Sequence, residues 1–479
     1  MIDFCYAPLL MDASQGRLVG VLVASVALIL LLVMKLRVQA FVALLLASVF
    51  VGVASRTMGL TEVGAAMVRG AGKEIGFIAL IIGLGAIFGA FIEHSGGAQS
   101  LANGLLRKFG EKRASWAMMV TGFLISIPVF LDVAIVILAP IVYTLARRSG
   151  KSLLHFGLPL GAGLAVTHAF VPPTPGPTWV AYALHVPLSQ AILYGILVGL
   201  PCAIISGPIL STWLAKKVYV EAPPLVAGEE KTGAQLPPFG LIGLVLLLPV
   251  LLIFAGALVD QAVTGGLPEG MERHAWAEAK AALLAAAPWW QQGLSFLGHP
   301  VLALLFCTVL SMYILGTRRG VGRYDLMEIA TKSLGPAGVI ILITGAGGVF
   351  KQMLIETHVG EALAATLVGL GAAPLLMAWL FSTIIRVAQG SATVAMVASA
   401  ALMGPILALI ELSSGQGALI VVAIAAGATG FSHVNDSGFW VVSRYFRLTE
   451  KETLQTWFWV GTSISVMALL LSSLMWYFV

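Results

Sequence analysis

Two ionisable residues, Asp132 and Arg386, lie inside long apolar stretches of the sequence. Charged side chains within a membrane-spanning segment are energetically costly, so each needs a partner or a function. Arg386 could bind a carboxylate, and Asp132 could accept a proton. A structural alternative is a buried ion pair between Asp132 and Arg386 that holds two segments together.

A proline-rich segment, HAFVPPTPGPTW at 168–179, interrupts another apolar stretch. Its four prolines lack N–H groups and clash with the preceding helical turn, so the helix must break there. Non-helical backbone at membrane depth is tolerated only where it lines a cavity or is buried in protein. The break is therefore a candidate site, and a simple kink or an aqueous loop is the alternative.

The segment FSHVNDSGFW at 431–440 is the densest polar cluster within any apolar stretch. It places His433, Asn435, Asp436 and Ser437 between two hydrophobic runs. We predict a second broken helix whose polar groups face the first one. The alternative is a short cytoplasmic turn in which Asp436 caps the following helix.

Together the two predicted breaks offer the groups that an anionic, hydroxylated ligand needs. A helix that starts in mid-membrane presents free N–H groups and the positive end of its dipole to an anion. The expected substrate-binding residues are Thr174, Thr178, Arg386, Gln389, Ser391, Thr393, Asn435 and Ser437. The candidates for proton coupling are Asp132, His168, His433 and Asp436. This inventory suits a polyhydroxylated carboxylate.

The composition indicates a protein that is embedded in a membrane. Of its 479 residues, 59% are hydrophobic and only 10% are charged, whereas soluble domains average about 25% charged residues. The net charge is +5, and the basic residues lie in short clusters between the apolar segments. Such clusters mark the cytoplasmic ends of membrane spans rather than a nucleic-acid-binding surface. Three distant cysteines predict neither a disulfide framework nor a metal site, and we find no enzyme motif. We therefore expect neither a cofactor nor an enzymatic activity.

Runs of about 20 apolar residues, the length needed to cross a bilayer, predict an all-α polytopic protein. The expected segments, ten spans and two split ones, are 18–34, 36–55, 74–92, 114–146, 153–186, 189–214, 237–258, 293–315, 335–355, 362–410, 416–443 and 456–478. The basic clusters belong on the cytoplasmic side, so the N-terminus is outside and spans 74–92 and 335–355 are antiparallel. Glu93 and Glu356 fall at span ends, where a solvated helix cap is the expected role.

The chain divides into two halves that we expect to be related by an inverted-topology repeat. These are 1–217 and 239–479, joined by a polar linker at 218–238, and the second contains a polar loop at 259–292. GLGAIF at 83–88 recurs as GAGGVF at 345–350, a spacing of 345 − 83 = 262. The overlong stretches predict re-entrant hairpins with tips at 125–133 and 384–394. The alternative to an internal repeat is that the two similar motifs match by chance, because the sequence is rich in glycine.

Three motifs resemble the gluconate:proton symporter (GntP) family of the ion transporter superfamily. They are THAFVPPTPGP at 167–177, IIRVAQGSATVAM at 384–396 and FSHVNDSGFWVVSRYF at 431–446. The resemblance extends over nearly the whole chain, with Thr174 and Asp132 where members commonly carry His and Glu. It implies a homodimeric inner-membrane permease that takes up gluconate or a related sugar acid with protons by alternating access.

Other functions fit the residues as well. Ser391, Asn435 and freed carbonyls could bind sodium instead of supporting proton coupling. The substrate could be another hydroxy acid, such as glycerate or D-serine. From a different class, a channel or an intramembrane enzyme is the remaining alternative, and the absence of a catalytic motif argues against the enzyme.

Overall fold

The computed structural model describes residues 13–222, 236–265, 273–359, 362, 373–407, 410–433 and 436–479, and these residues form helices without any strand. In the first half the α-helices are α1 Ala13–Leu30, α2 Ala40–Ser55, α3 Leu60–His94, α4 Gly97–Phe109, α5 Ala114–Ile125, α6 Leu131–Ser149, α7 Leu154–Phe170, α8 Pro175–Ala183, α9 Leu188–Ile204 and α10 Thr212–Lys217. In the second half they are α11 Phe239–Thr264, α12 Arg273–Ala286, α13 Trp289–Gly298, α14 Pro300–Ser311, α15 Arg323–Glu356, α16 Pro374–Gln389, α17 Ala392–Leu407, α18 Ser414–Thr429, α19 Ser437–Tyr445 and α20 Glu450–Met475. The all-α prediction is confirmed.

Seven helical segments of the described chain are long and apolar enough to cross a membrane. Several other apolar helices are shorter, among them α16, α17 and α18 with 16 residues each. At 1.5 Å per residue, such a helix is about 24 Å long, less than the roughly 30 Å of a bilayer core. A single helix of this length is too short to cross the core of a bilayer on its own.

The two halves repeat the same helices at a constant offset. Helices α8 and α19 are related at both ends, since 437 − 175 = 262 and 445 − 183 = 262. Helices α3 and α15 end with the same offset, and α9 and α20 begin with it. The turn after α8 has His185 at φ 59° and the turn after α19 has Arg447 at φ 55°, again 262 residues apart. Matching ends and turns support the repeat that the sequence echo predicted.

Helices α3 and α15 pack against each other in opposite directions. Arg69, near the start of α3, forms an ion pair with Glu356 at the end of α15 at 2.8 Å. Further along, a β-carbon on Gly83 would contact Leu334. Both helices begin more than three turns before the predicted spans 74–92 and 335–355, at Leu60 and Arg323, because their polar first turns continue the helix. The antiparallel arrangement agrees with the orientation inferred from the basic clusters.

Glycines allow the helix pairs of the two halves to approach closely. A β-carbon on Gly122 of α5 would lie 2.3 Å from the carbonyl oxygen of Leu160, and one on Gly163 of α7 would lie 2.2 Å from that of Met119. In the second half, a β-carbon on Gly427 of α18 would lie 2.4 Å from the carbonyl oxygen of Trp379 on α16. Backbones in direct contact make these pairs, α5 with α7 and α16 with α18, the rigid core of each half.

The stretch 259–292, expected to be a polar loop, is largely helical where it is described. Helix α11 continues to Thr264, and α12 follows within the stretch. Asp260 accepts hydrogen bonds from Lys280 Nζ at 2.5 Å and from Ser295 Oγ at 2.6 Å, so its charge is satisfied locally. These contacts tie α12 and α13 to α11.

We predict that Gly163→Ala destabilises the protein by about 1–3 kcal/mol, because the added methyl group has no space between α5 and α7. The measurement is the thermal unfolding midpoint of the detergent-solubilised protein. Gly64→Ala is the matched control, since Gly64 lies in a helix with nothing within 4 Å of the added carbon. An unchanged midpoint for Gly163→Ala would contradict the direct backbone packing.

Candidate functional site

Two helix breaks and two helix-to-helix turns form the centre of the molecule. Break 1 is 171–174, between α7 and α8, and break 2 comprises the described residues 430–433 and 436, between α18 and α19. Tip 1 is the turn 126–130 between α5 and α6, and tip 2 is the turn 390–391 between α16 and α17. The prolines end α7 as predicted, and α8 restarts with Pro175 in its first turn, where the missing N–H costs nothing. Both predicted helix breaks are confirmed.

Tip 1 lies against break 1, and the helix that follows tip 1 packs on the helix that follows break 2. The ring of Phe130 lies 5.8 Å from that of His168 in an edge-to-face arrangement, just before break 1. Asp132, in the first turn of α6, is close enough to Asp436 of break 2 for their charges to interact. Helix α6 also packs on α19.

Tip 2 contacts both breaks through the helices that flank it. The carbonyl oxygen of Val387 lies 3.0 Å from Nε2 of His433 in break 2. On the other side, a β-carbon on Gly176 of α8 would lie 2.4 Å from the sulfur of Met396 on α17. The four segments thus converge on one region, and each tip joins the two halves of the molecule.

A buried ion pair between Arg386 and Asp436 links tip 2 to break 2. Arg386 is 5% exposed to solvent and Asp436 is 7% exposed. Asp436 also accepts a hydrogen bond from Ser432 Oγ. The other carboxylate oxygen of Asp436 accepts a hydrogen bond from the N–H of Gly438 at 3.0 Å. Asp436 therefore caps the N-terminus of α19, a role that the sequence had offered as an alternative. Arg386 therefore pairs with Asp436, and the alternative pair with Asp132 is not formed.

Several buried polar atoms near these segments have no hydrogen-bond partner among the described residues. They are Thr167 Oγ1, His168 Nδ1, Thr178 Oγ1, Trp179 Nε1, Arg386 Nε and Gln389 Oε1. Buried polar atoms are almost always hydrogen-bonded, because an unpaired one costs about 1–3 kcal/mol. A concentration of such atoms at a helix break marks a site that can bind a polar ligand. Three of them belong to residues that the sequence predicted to bind substrate: Thr178, Arg386 and Gln389.

Other predicted site residues have local roles or lie elsewhere. Thr174 is buried and donates to the carbonyl of Val171 at 2.8 Å, so it closes break 1. Ser391 accepts from the N–H of Val394 at 3.4 Å at the start of α17, and Thr393 is half-buried beside it. Ser437 is exposed, and Asn435 lies outside the described residues. The described residues contain no group of three His, Cys, Asp or Glu that could hold a metal ion.

Two residues outside the predicted site fix the short helices. Lys351 of α15 is buried and donates to the carbonyl of Ala183, the last residue of α8, at 2.8 Å. Tyr143 of α6 donates to the carbonyl of Tyr445, the last residue of α19, at 2.6 Å. The two carbonyls are equivalent in the repeat, since 445 − 183 = 262. Lys351 could have been found from sequence, because it is an ionisable residue inside a predicted span, like Asp132.

Comparison with known proteins places this fold and these motifs among permeases. The family model described as GntP family permease matches residues 17–479. The gluconate permease of Pseudomonas aeruginosa is 36% identical, covering 96% of this chain and 97% of the relative. The Gnt-II system L-idonate transporter of Escherichia coli is 35% identical, covering 94% of this chain and 97% of the relative. The solved structure of Neisseria gonorrhoeae MtrF, an antimetabolite efflux pump, has the same fold at 16% identity, with a TM-score of 0.63 over 88% of this chain and 85% of MtrF.

We predict that removing one partner of the Arg386–Asp436 pair destabilises the protein by about 3–5 kcal/mol, because the other charge stays buried and unpaired. Arg386→Gln and Asp436→Asn should each lower the unfolding midpoint in detergent, and the double variant should recover much of the loss. Arg69→Gln is the control, since its pair with Glu356 is half-exposed. Such a pair is worth about 0–1 kcal/mol. Additive losses in the double variant would contradict a direct interaction.

Proposed function

The chain belongs to the GntP permease family, and we propose that it is a secondary active transporter for gluconate or a related sugar acid. We propose further that uptake is coupled to protons and proceeds by alternating access across the inner membrane, with a homodimer as the functional unit. The relatives are named as permeases and transporters, so an enzymatic activity is not part of the proposal.

The observation that carries the proposal is the buried guanidinium of Arg386. One of its nitrogens binds Asp436 and another donates to the carbonyl of Gly390, while Nε has no partner among the described residues. A guanidinium with a free N–H, close to the N-terminus of α19, offers a carboxylate both charge and a directed hydrogen bond. The substrate carboxylate can use this free N–H while Asp436 keeps its own bond to the guanidinium, so the ion pair persists when the ligand binds.

The class of substrate follows from the remaining polar atoms. Thr178 Oγ1, Gln389 Oε1 and His168 Nδ1 are buried without partners near the breaks, and each can hydrogen-bond a hydroxyl group. A ligand with a carboxylate at one end and several hydroxyls along its chain satisfies the guanidinium and these atoms together. Two relatives are named for gluconate and L-idonate, which have this chemistry.

Asp132 is the better of the two aspartates for accepting the coupled proton. The carboxylate oxygens of Asp436 already bind Arg386 and the N–H of Gly438. Asp132 is half-buried at the start of α6, and it forms no ion pair with any other described residue. Asp132 also interacts with the charge of Asp436, so protonation of Asp132 would remove a repulsion on the carboxylate that pairs with Arg386. His168 and His433 remain the other candidates.

Alternating access requires the two tips to open in turn. Helix α5 has 12 residues and is about 18 Å long, so it ends well inside a bilayer core of roughly 30 Å. We propose that α5 and α6 form one re-entrant hairpin and that α16 and α17 form the other, entering from opposite faces. The site between the tips would then face either side of the membrane.

The test is uptake of labelled gluconate into proteoliposomes under an imposed inward proton gradient. Accumulation above equilibrium that disappears with an uncoupler is the expected result. Replacing sodium by choline should leave the uptake unchanged, and sodium-dependent uptake would support the sodium-coupled alternative instead. Unlabelled L-idonate, glycerate and D-serine, added as competitors, define the substrate range. No uptake by correctly folded protein would contradict gluconate as the substrate.

A second prediction concerns the proton acceptor. Asp132→Asn should abolish accumulation driven by the proton gradient, because the amide cannot bind the coupled proton. It should preserve exchange of labelled for unlabelled substrate, which needs no net proton movement. Glu111→Gln is the matched control, since Glu111 is exposed and pairs only with exposed Arg148 among the described residues. Unchanged gradient-driven uptake with an unchanged pH profile would show that another residue carries the proton.

A further inference from the structure

Three cavities follow one another from break 1 to the surface. The innermost is small and lies between His168, Thr174 and the middle of α3. The next has a volume of about 320 Å³ and lies between α3, tip 1 and α15. The outermost has about 460 Å³ and is bordered by the loop 319–321. Neighbouring cavities share lining residues and so adjoin one another, and we call the series of three cavities the vestibule.

Phe130 lies where the innermost cavity meets the middle one. Its side chain lines both cavities, together with Ala86 and the tip residues Pro128 and Val129. On the inner side its ring contacts His168. Helix α3 approaches tip 1 closely here, because a β-carbon on Gly89 would lie 2.3 Å from the carbonyl oxygen of Pro128. Of the four residues that line both cavities, Phe130 has the largest side chain, and it is an aromatic ring that could turn.

The outer part of the vestibule is polar, unlike the surfaces that face lipid. The middle cavity is lined by Glu93, His94, Lys332 and Ser333, and Lys332 forms an ion pair with Glu328 at 2.6 Å. The adjoining loop belongs to the basic cluster 318–323, which the positive-inside rule assigns to the cytoplasm. Charged groups along a cavity inside a membrane protein indicate contact with water. The vestibule therefore leads from the site to the cytoplasmic side.

We propose that the vestibule is the route by which the sugar acid leaves the site for the cytoplasm, and that Phe130 is the gating residue. The proposal rests on the function proposed above for its direction and its substrate. A volume of about 320 Å³ is at the lower end of the range of roughly 300–1,000 Å³ for small-molecule pockets, enough for one sugar acid with some water. Rotation of one aromatic side chain would join this space to the site.

Cysteine labelling tests the route without requiring transport. The background has Cys5, Cys202 and Cys307 replaced by alanine, and inside-out vesicles are treated with a membrane-impermeant thiol reagent. Ser333→Cys, in the middle cavity, should react rapidly. Gly85→Cys, in the innermost cavity with nothing within 4 Å of its β-carbon, should react at least tenfold more slowly. Val339→Cys is the control, because Val339 is exposed on α15 but lines none of the three cavities.

The Phe130→Ala variant then tests the gate. It should raise the reaction rate of Gly85→Cys at least tenfold and leave that of Ser333→Cys unchanged, whereas Phe130→Trp should not raise it. Added gluconate should slow the labelling of Ser333→Cys if the sugar acid enters the vestibule. Labelling of Gly85→Cys that is independent of residue 130 would overturn the gate. Labelling of Ser333→Cys that is no faster than that of Val339→Cys, or is insensitive to gluconate, would overturn the substrate route.

Discussion

The absence of water in a bilayer core is the constraint on which this structure depends. Every backbone group freed by a helix end inside the membrane must find a partner in the protein. The breaks before α8 and α19 free such groups, and the far ends of the two short helices free further ones. At the N-terminus of α19 the N–H of Gly438 is bound by Asp436, and at the C-termini the carbonyls of Ala183 and Tyr445 are bound by Lys351 and Tyr143. The polar residues within the apolar segments exist largely because the helices are broken.

The repeat satisfies this constraint twice but with different chemistry. A lysine binds the carbonyl end of α8, whereas a neutral phenol binds the equivalent carbonyl of α19. Prolines interrupt the first helix, whereas the second is interrupted around an aspartate that is paired with Arg386. A sugar acid is itself unsymmetrical, with a carboxylate at one end and hydroxyls along the rest. Two equivalent backbones with unlike side chains are suited to bind such a molecule in one orientation.

Local signals were sufficient to predict where the helices break and which segments are apolar. The prolines at 172–177 and the polar cluster at 431–437 interrupt the helix in which they themselves lie. Such a local effect can be predicted from the sequence without knowing the fold. The partner of Arg386 could not be predicted, because Asp436 lies 50 residues away and Asp132 was an equally acceptable charge. The start of α3 at Leu60 was missed as well, since charged residues in its first turns resemble a loop until their partners on α15 are known. Long-range pairing, and not helix formation, limits such predictions.

The position of the ion pair also bears on how the molecule can move. Arg386 and Asp436 belong to α16 and break 2, which pack together as part of the second half's core. The vestibule lies instead between that central region and the pair α3 and α15, where the polar contacts include Lys351 with Ala183 and Tyr182 with the carbonyl of Lys73. Sliding along this boundary would exchange a few hydrogen bonds while the buried charges stay paired. Because separating a buried ion pair costs several kcal/mol, a transporter that moves between these two groups of helices avoids that cost in every cycle.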